Sequence, residues 1–226
     1  MTAFTILGAH GGKHGELTLS PATELVVAGY TGRDLTAVKE HIDELAAIDV
    51  APPPAVTMVY RYPLSLLTTA GDVTVSGHET SGEVEPVLIR QAGTWYVGVG
   101  SDHTDRSLER QSVERSKAVC PKPVAGQLIA LAGNPAEGAF DAAWDGIQIS
   151  SWADGELYQS AGLETMRLPS DLLPTVLAAL PDGADLAVFC GTVPLRTGTF
   201  VYAADWTMEL RIGDTTIRSD YSISFS

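Results

Sequence analysis

Three carboxylates within one short stretch have the residue types and spacing of a metal site. Glu83 and Glu85 stand two residues apart, and Asp102 ends the apolar run that follows a glycine-containing turn. Residues two apart on a strand point to the same face, and a hairpin brings the end of its second strand beside them. Hard divalent ions such as Mg²⁺ prefer oxygen ligands and keep positions for water or substrate. The stretch from Ser81 to Arg106 therefore predicts the centre of a metal-dependent enzyme.

A second pattern pairs a histidine with a glutamate on the clearest helix of the chain. Apolar residues close to a 3.6-residue period predict a helix over residues 34–48. His41 and Glu44 lie three apart, on one side of that helix, and such a pair can orient or deprotonate a water molecule. From the residues alone, an ordinary surface pair is the simpler interpretation. His10 and His14, without nearby acids, indicate a polar turn rather than a metal loop.

Short apolar or alternating runs predict strands for most of the chain. Gly, Asp-Gly and Pro signals separate these runs, while residues 107–118 and 169–180 favour helices. No linker, repeat or low-complexity segment interrupts the pattern. We therefore expect a single domain over residues 1–226, mainly β (α+β), with about three helices. The predicted strands include residues 4–7, 24–28, 56–60, 73–75, 144–152, 157–159, 186–190, 206–212 and 216–225, and residues 127–132 suit a short helix or a strand.

The charge balance limits the classes of partner. The 226-residue chain carries 14 basic and 28 acidic residues, a net charge of −14, which argues against nucleic acid and anionic membranes as partners. No run of about 20 apolar residues predicts a membrane span, and no secretion signal is recognisable. We therefore expect Cys120 and Cys190 to be reduced thiols in a cytoplasmic protein.

The order of several motifs resembles the fumarylacetoacetate hydrolase superfamily, in particular its C-terminal catalytic domain. Residues 26–34 are similar to the family's opening strand and turn, and Glu83-Val84-Glu85 resembles its pair of metal ligands. Asp102, followed by Thr104 and Arg106, resembles the strand end that carries the third ligand. Further likenesses are the strand and apolar turn at residues 60–67, Lys117 ahead of Cys120-Pro121, the hairpin of residues 154–159 and the strand end at residues 189–194.

The resemblance covers residues 24–226, leaves residues 1–23 unaligned, and is strongest to a bacterial branch described as a domain of unknown function. It implies a mixed β-sandwich roll, a homodimer, and Mg²⁺- or Mn²⁺-dependent chemistry on small 2-oxo acids or 1,3-diketones through a metal-stabilised enolate. C–C bond cleavage of an acylpyruvate-like substrate is the reaction that it favours. Two alternatives stay open: decarboxylation, hydration or tautomerisation of an oxo acid at the same site, and non-catalytic binding of a small molecule on the same fold.

The resemblance also implies roles for individual residues. Glu83, Glu85 and Asp102 would hold the metal, and Lys117, with Lys122 as the alternative position, would supply a cation for a substrate carboxylate or a developing enolate. The remaining roles are water activation by His41, oriented by Glu44, and substrate contact by Arg106, Glu109, Thr192 and Gln159.

Two positions depart from the family pattern. The family's His and Glu fall near Leu35 and Val38, whereas here they stand farther along the helix, at His41 and Glu44. Glu109 occupies a position where relatives often have a glutamine, and an extra carboxylate there disfavours a highly negative substrate.

Overall fold

The computed structural model describes residues 2–8, 11–46 and 52–226, and the side chains of residues 37, 41 and 44–46 lie outside that description. Strands account for most of the regular structure, which confirms the mainly β, α+β class. The strands are β1 Ala3–Leu7, β2 Lys13–Thr18, β3 Glu24–Gly29, β4 Met58–Tyr62, β5 Leu67–Thr68, β6 Asp72–Val75, β7 Thr80–Ser81, β8 Val84–Gln91, β9 Thr94–Ser101, β10 Thr104–Asp105, β11 Lys122–Pro123, β12 Gln127–Ala130, β13 Gln148–Ala153, β14 Glu156–Gly162, β15 Leu186–Phe189, β16 Asp205–Ile212 and β17 Thr215–Phe225. The α-helices are α1 Leu35–Ala46, α2 Arg106–Glu109, α3 Val113–Ala118, α4 Asp141–Trp144 and α5 Pro169–Ala178, and single 3₁₀ turns occupy Leu64–Leu66, Pro135–Glu137 and Leu163–Thr165.

Two sheets hold most of these strands. The larger has eight strands in the order β2-β1-β12-β9-β8-β15-β3-β4, and the smaller has five in the order β14-β13-β16-β17-β6. The pairs β1–β12 and β3–β15 run parallel, while β8 pairs antiparallel with both β9 and β15. The large sheet is therefore mixed, with the hairpin that carries the predicted metal ligands near its middle.

Alternation along β8 explains how the large sheet is buried on both faces. Leu88 belongs to the apolar cluster that also contains Ile149 and Leu210 of the smaller sheet. Its neighbours Val87 and Ile89 belong to the cluster on the opposite face. Successive strand residues point to opposite faces, so a continuous apolar run such as β8 predicts a strand covered on both sides. This double burial makes the hairpin a rigid support for the residues at its ends.

The β8–β9 hairpin has a two-residue turn. Ala92 and Gly93 both have positive φ, 50° and 79°, which is the backbone form whose twist matches that of paired strands. The register runs without a bulge from Gln91 opposite Thr94 to Val84 opposite Ser101. Residues that flank the open end of the hairpin are therefore held side by side.

The predicted helices at 34–48 and 169–180 correspond to α1 and α5 over the described residues. The polar segment 107–118 forms two short helices, α2 and α3, rather than one. Five α-helices occur in the described ranges against about three predicted, because α2 and α4 have four residues each and are too short to show a helical period.

Two smaller predictions were wrong. Trp144 was assigned to the beginning of a strand, but it ends α4, and β13 begins at Gln148. The Trp144 ring is fully buried and packs edge-on against Phe140 at 6.1 Å, so tertiary packing decides its conformation. His14 lies on the edge strand β2 rather than in a turn, and His10 lies outside the described residues.

None of the helices in the described part of the chain has the length and hydropathy of a membrane span. Both cysteines are free and buried, as expected for reduced thiols. Cys190 directly follows β15 and Cys120 lies between α3 and β11.

Candidate active site

The three predicted metal ligands converge at the open end of the β8–β9 hairpin. Glu83 immediately precedes β8, Glu85 lies on it, and Asp102 follows β9. The backbone N–H of Asp102 donates to the carbonyl oxygen of Glu83 at 2.9 Å, which keeps this end closed. One carboxylate oxygen of each residue lies within 4.8 Å of the other two. Because the donors are all carboxylate oxygens, the cluster fits a hard divalent ion, and these three residues could hold one.

Both lysines considered from the sequence reach the same carboxylate. Lys117 Nζ contacts Asp102 Oδ2 and lies 3.2 Å from Glu83 Oε2. Lys122 Nζ lies 2.9 Å from Asp102 Oδ1 and donates to the carbonyl oxygens of His103 at 2.7 Å and Lys117 at 2.5 Å. Asp102 is fully buried, and these two ammonium groups compensate the loss of its hydration.

Local structure fixes where each lysine points. Ser112 caps α3, since its hydroxyl accepts a hydrogen bond from the Arg115 N–H at 3.2 Å, and Lys117 lies in the last turn of this helix. Lys122 begins β11, which pairs parallel with β5 through Leu67. Two separate elements, α3 and β11, therefore place the two lysines beside Asp102.

The charges shift each pKa in a direction that follows from burial and partners. Burial would raise the pKa of Asp102, but Lys117 and Lys122 outweigh it and lower that pKa to about 2. Burial favours the neutral Lys117 amine, yet Asp102 and Glu83 hold its pKa well above the ordinary value. For Glu85, burial and the Asp102 charge together raise the pKa well above the ordinary carboxyl value. The cluster thus combines one ionised carboxylate, Asp102, with a second, Glu85, that favours its protonated form.

Arg106 and Glu109, predicted to contact substrate, pair with each other. The Arg106 Nη1 donates to both carboxylate oxygens of Glu109, at 2.9 and 3.1 Å, and its Nε donates to Ser81 Oγ at 2.6 Å. A second ion pair joins Arg106 Nη2 to Glu83 Oε1 at 3.2 Å. The Phe200 ring lies over the guanidinium, 4.0 Å from its central carbon to the ring centroid. Arg106 is 3% exposed, so it supports Glu83 from inside the protein.

Gln159 and Thr192 form a brace behind the carboxylate cluster. The side-chain oxygen of Gln159 accepts from the Val84 N–H at 2.9 Å and from Ser151 Oγ at 3.2 Å. Its nitrogen donates to Thr192 Oγ1 at 2.8 Å and to the Val193 carbonyl at 2.6 Å. The Thr192 hydroxyl donates in turn to the Val84 carbonyl at 3.0 Å. These contacts position the start of β8; substrate contact by either residue stays a prediction.

Glycine 191 orients the buried glutamate. The Gly191 N–H donates to Glu85 Oε2 at 2.8 Å, and Gly191 has φ +100°, a conformation that favours glycine. A Cβ at this position would lie 1.7 Å from Thr31 Oγ1. The close approach of the segments after β3 and β15 therefore requires a residue without a side chain beside Glu85.

A histidine that the sequence analysis did not consider lies directly behind Asp102. His103 is fully buried, and its ring nitrogens lie 3.1 Å from Tyr221 Oη and 2.9 Å from Thr80 Oγ1. Tyr221 Oη also lies 2.8 Å from Ser101 Oγ. Burial, with the nearby Lys122 charge, lowers the pKa of His103 to about 3, so the neutral ring holds β9, β7 and β17 together. Its only sequence signal was adjacency to Asp102.

The structure does not locate the side chains of the predicted water-activating pair. His41 and Glu44 belong to α1, as predicted, but their side chains lie outside the described residues. The start of α1 is held near the site because the segment before it contacts Gly191 through Thr31. Water activation by His41 stays a prediction.

Comparison with known proteins identifies a family that the sequence matches. The family model described as "Protein of unknown function (DUF2848)" matches residues 28–221. No curated protein matches the chain significantly.

Solved structures share the fold along almost the whole chain. A putative fumarylacetoacetate isomerase/hydrolase from Oleispira antarctica superposes with a TM-score of 0.63 at 14% identity, covering 97% of this chain and 99% of that one. A putative fumarylpyruvate hydrolase from Burkholderia cenocepacia gives 0.60 at 17% identity, covering 91% and 90%. The 5-carboxymethyl-2-hydroxymuconate delta-isomerase from Mycobacterium smegmatis gives 0.60 at 12% identity, covering 91% and 78%.

These structures confirm the predicted β-sandwich roll of the fumarylacetoacetate hydrolase type. At such identities the superpositions establish the fold, while the match to the family model extends over most of the sequence. The chain therefore belongs to the family described as protein of unknown function (DUF2848), and it has the fold of fumarylacetoacetate hydrolase family proteins.

Proposed function

We propose that the protein is an enzyme that uses Mg²⁺ or Mn²⁺ to hydrolyse a C–C bond in an acylpyruvate-like 2-oxo acid. The observation that carries this proposal is the convergence of Glu83, Glu85 and Asp102 within 4.8 Å, with buried cations beside them. The name of one structural neighbour, a putative fumarylpyruvate hydrolase, supports the same reaction class.

The chain's own residues would divide the work as follows. Glu83, Glu85 and Asp102 would hold the ion, and Gly191 would keep Glu85 in place through its N–H. When bound, a divalent ion supplies Lewis-acid stabilisation of the negative charge that develops on substrate oxygens. Lys117, whose pKa is raised by the Asp102 and Glu83 carboxylates against the effect of burial, stays protonated and adds a fixed positive charge.

Water attack completes the proposed reaction. His41, oriented by Glu44, would take a proton from water, whose oxygen attacks the acyl carbonyl carbon. The C–C bond to the pyruvate methylene then breaks, and the electron pair enters the enolate of pyruvate, which is protonated at carbon. The products are pyruvate and a carboxylic acid. We also propose that the working form is a homodimer, which sedimentation of the 23.9 kDa chain would test directly.

The test is pyruvate release from a set of acylpyruvates with Mg²⁺ present. The Glu83→Gln/Glu85→Gln double variant should lose at least about 100-fold in kcat/KM, since Lewis-acid stabilisation supplies several kcal/mol and about 1.4 kcal/mol corresponds to tenfold. Glu16→Gln, an exposed glutamate on β2, is the matched control and should retain activity. Unchanged activity of the double variant would contradict the proposal.

A further inference from the structure

An open pocket with mainly apolar walls lies beside the candidate site. It has a volume of about 320 Å³, within the size range of small-ligand sites. One wall comes from β14 and the other from the segment of residues 197–203, which follows the brace at Thr192. The walls include Leu157, Tyr158, Val201, Tyr202 and Ala203.

Both ends of the segment 197–203 are anchored, so the pocket is preformed. At its start, the Arg196 N–H donates to the Tyr158 carbonyl at 3.1 Å. At its end, Asp154 Oδ1 in the β13–β14 turn accepts from the N–H groups of Ala204 at 3.1 Å and Asp205 at 2.9 Å. The segment therefore spans the pocket as a strap fixed to the β13–β14 hairpin.

The same segment connects the pocket to the site. Phe200 stacks on the Arg106 guanidinium, which pairs with the metal-ligand candidate Glu83, and the next residue, Val201, lines the pocket. From the other wall, Tyr158 is buried, and burial raises the pKa of its hydroxyl while the charge of Arg106 partly lowers it. Phe200 and Tyr158 thus bring the pocket next to Arg106, the partner of Glu83.

The exposed apolar surface here is unusual. Leu157, Phe200, Val201 and Tyr202 are 37%, 43%, 37% and 49% exposed, and they form half of the large apolar side chains that are exposed in the described residues. Exposed apolar side chains that cluster on and beside one pocket in this way mark a binding surface.

The charge around the pocket selects against a second carboxylate. Its described lining includes Asp154 and Glu156 but no lysine, arginine or histidine. Arg106, the cation beneath Phe200, is already paired with Glu83 and Glu109. A distal carboxylate would therefore meet two like charges without a free partner.

We propose that this pocket binds the apolar tail of a 2-oxo monocarboxylic acid, with Leu157 and Val201 as specificity-determining residues. The inference rests on the proposed function for the location of the 2-oxo acid group. It adds that the substrate is an acylpyruvate with an alkyl or aryl acyl group, rather than a dicarboxylic compound.

Binding of 2-oxo acids tests this without requiring turnover. Calorimetry on the full chain with Mg²⁺ would compare pyruvate, 2-oxohexanoate, 2-oxooctanoate and 2-oxosuberate, the last being the dicarboxylate of eight carbons. Affinity should rise about two- to fourfold per methylene along the monocarboxylates. The dicarboxylate should bind at least about tenfold more weakly than 2-oxooctanoate.

Variants assign the effect to the pocket. Leu157→Asp should abolish the chain-length dependence, whereas Phe225→Asp, at another exposed apolar position at the end of β17, should preserve it. Flat chain-length dependence, or a dicarboxylate that binds as tightly as 2-oxooctanoate, would overturn the inference. If the predicted order appears but no acylpyruvate is hydrolysed, the inference holds and the hydrolase proposal fails. If no 2-oxo acid binds, both fail.

Discussion

Removal of Lys122 should destabilise the protein strongly. The residue is fully buried, and its ammonium makes an ion pair to Asp102 Oδ1 at 2.9 Å and hydrogen bonds to two carbonyl oxygens. Lys122→Met leaves those carbonyls unpaired and Asp102 with Lys117 as its remaining cation. Breaking a buried pair from one side typically costs about 3–5 kcal/mol. We expect the free energy of unfolding to fall by about that amount.

Urea unfolding followed by fluorescence of the four tryptophans measures the change. Lys13→Met is the matched control, because Lys13 is largely exposed and pairs with Glu16 on the surface, where ion pairs contribute little. The control should leave the unfolding midpoint within experimental error. A loss below about 1 kcal/mol for Lys122→Met would refute the assignment of Lys122 as the buried counter-ion of Asp102.

Three further predictions follow from buried polar groups. Gln159→Leu should reduce the free energy of unfolding by about 2–4 kcal/mol, because its hydrogen-bond partners stay buried, while Gln148→Leu on the exposed side of β13 should have little effect in the same urea titration. Cys120 and Cys190 should resist a thiol reagent in the native protein and react after unfolding, since both are 1% exposed and burial raises the pKa of Cys120 to about 11 and that of Cys190 further. The folded-state pKa of Asp102 is lowered to about 2 from 3.8, so its ionised form stabilises the fold above about pH 4. This contribution to the free energy of unfolding should be lost as the pH falls toward 2, and urea titrations at each pH should show a smaller loss for Asp102→Asn.

The sequence was informative where the chemistry depends on local spacing. Glu83 and Glu85 meet because residues two apart share a face, and Asp102 joins them because a two-residue turn fixes the hairpin register. Both features can be read from about twenty consecutive residues. The motif order added the fold, which the superpositions confirm.

Contacts between distant segments could not be predicted in the same way. The stacking of Phe200 on Arg106 and the hydrogen bonds of His103 to Thr80 and Tyr221 depend on how the two sheets pack, which no local pattern encodes. The same limit applies to Gln159, whose side chain the structure uses as a brace. One-turn helices such as α2 lack the periodicity that would reveal them.

The central claim is that Glu83, Glu85 and Asp102 hold a divalent ion, and Mn²⁺ titration followed by electron paramagnetic resonance tests it most directly. Wild-type protein should bind one Mn²⁺ per chain in competition with Mg²⁺. Glu85→Gln, which keeps the shape of the buried side chain, should weaken that binding at least about tenfold, while Glu16→Gln should not change it. An affinity for Mn²⁺ that is the same in Glu85→Gln and wild type would contradict the account.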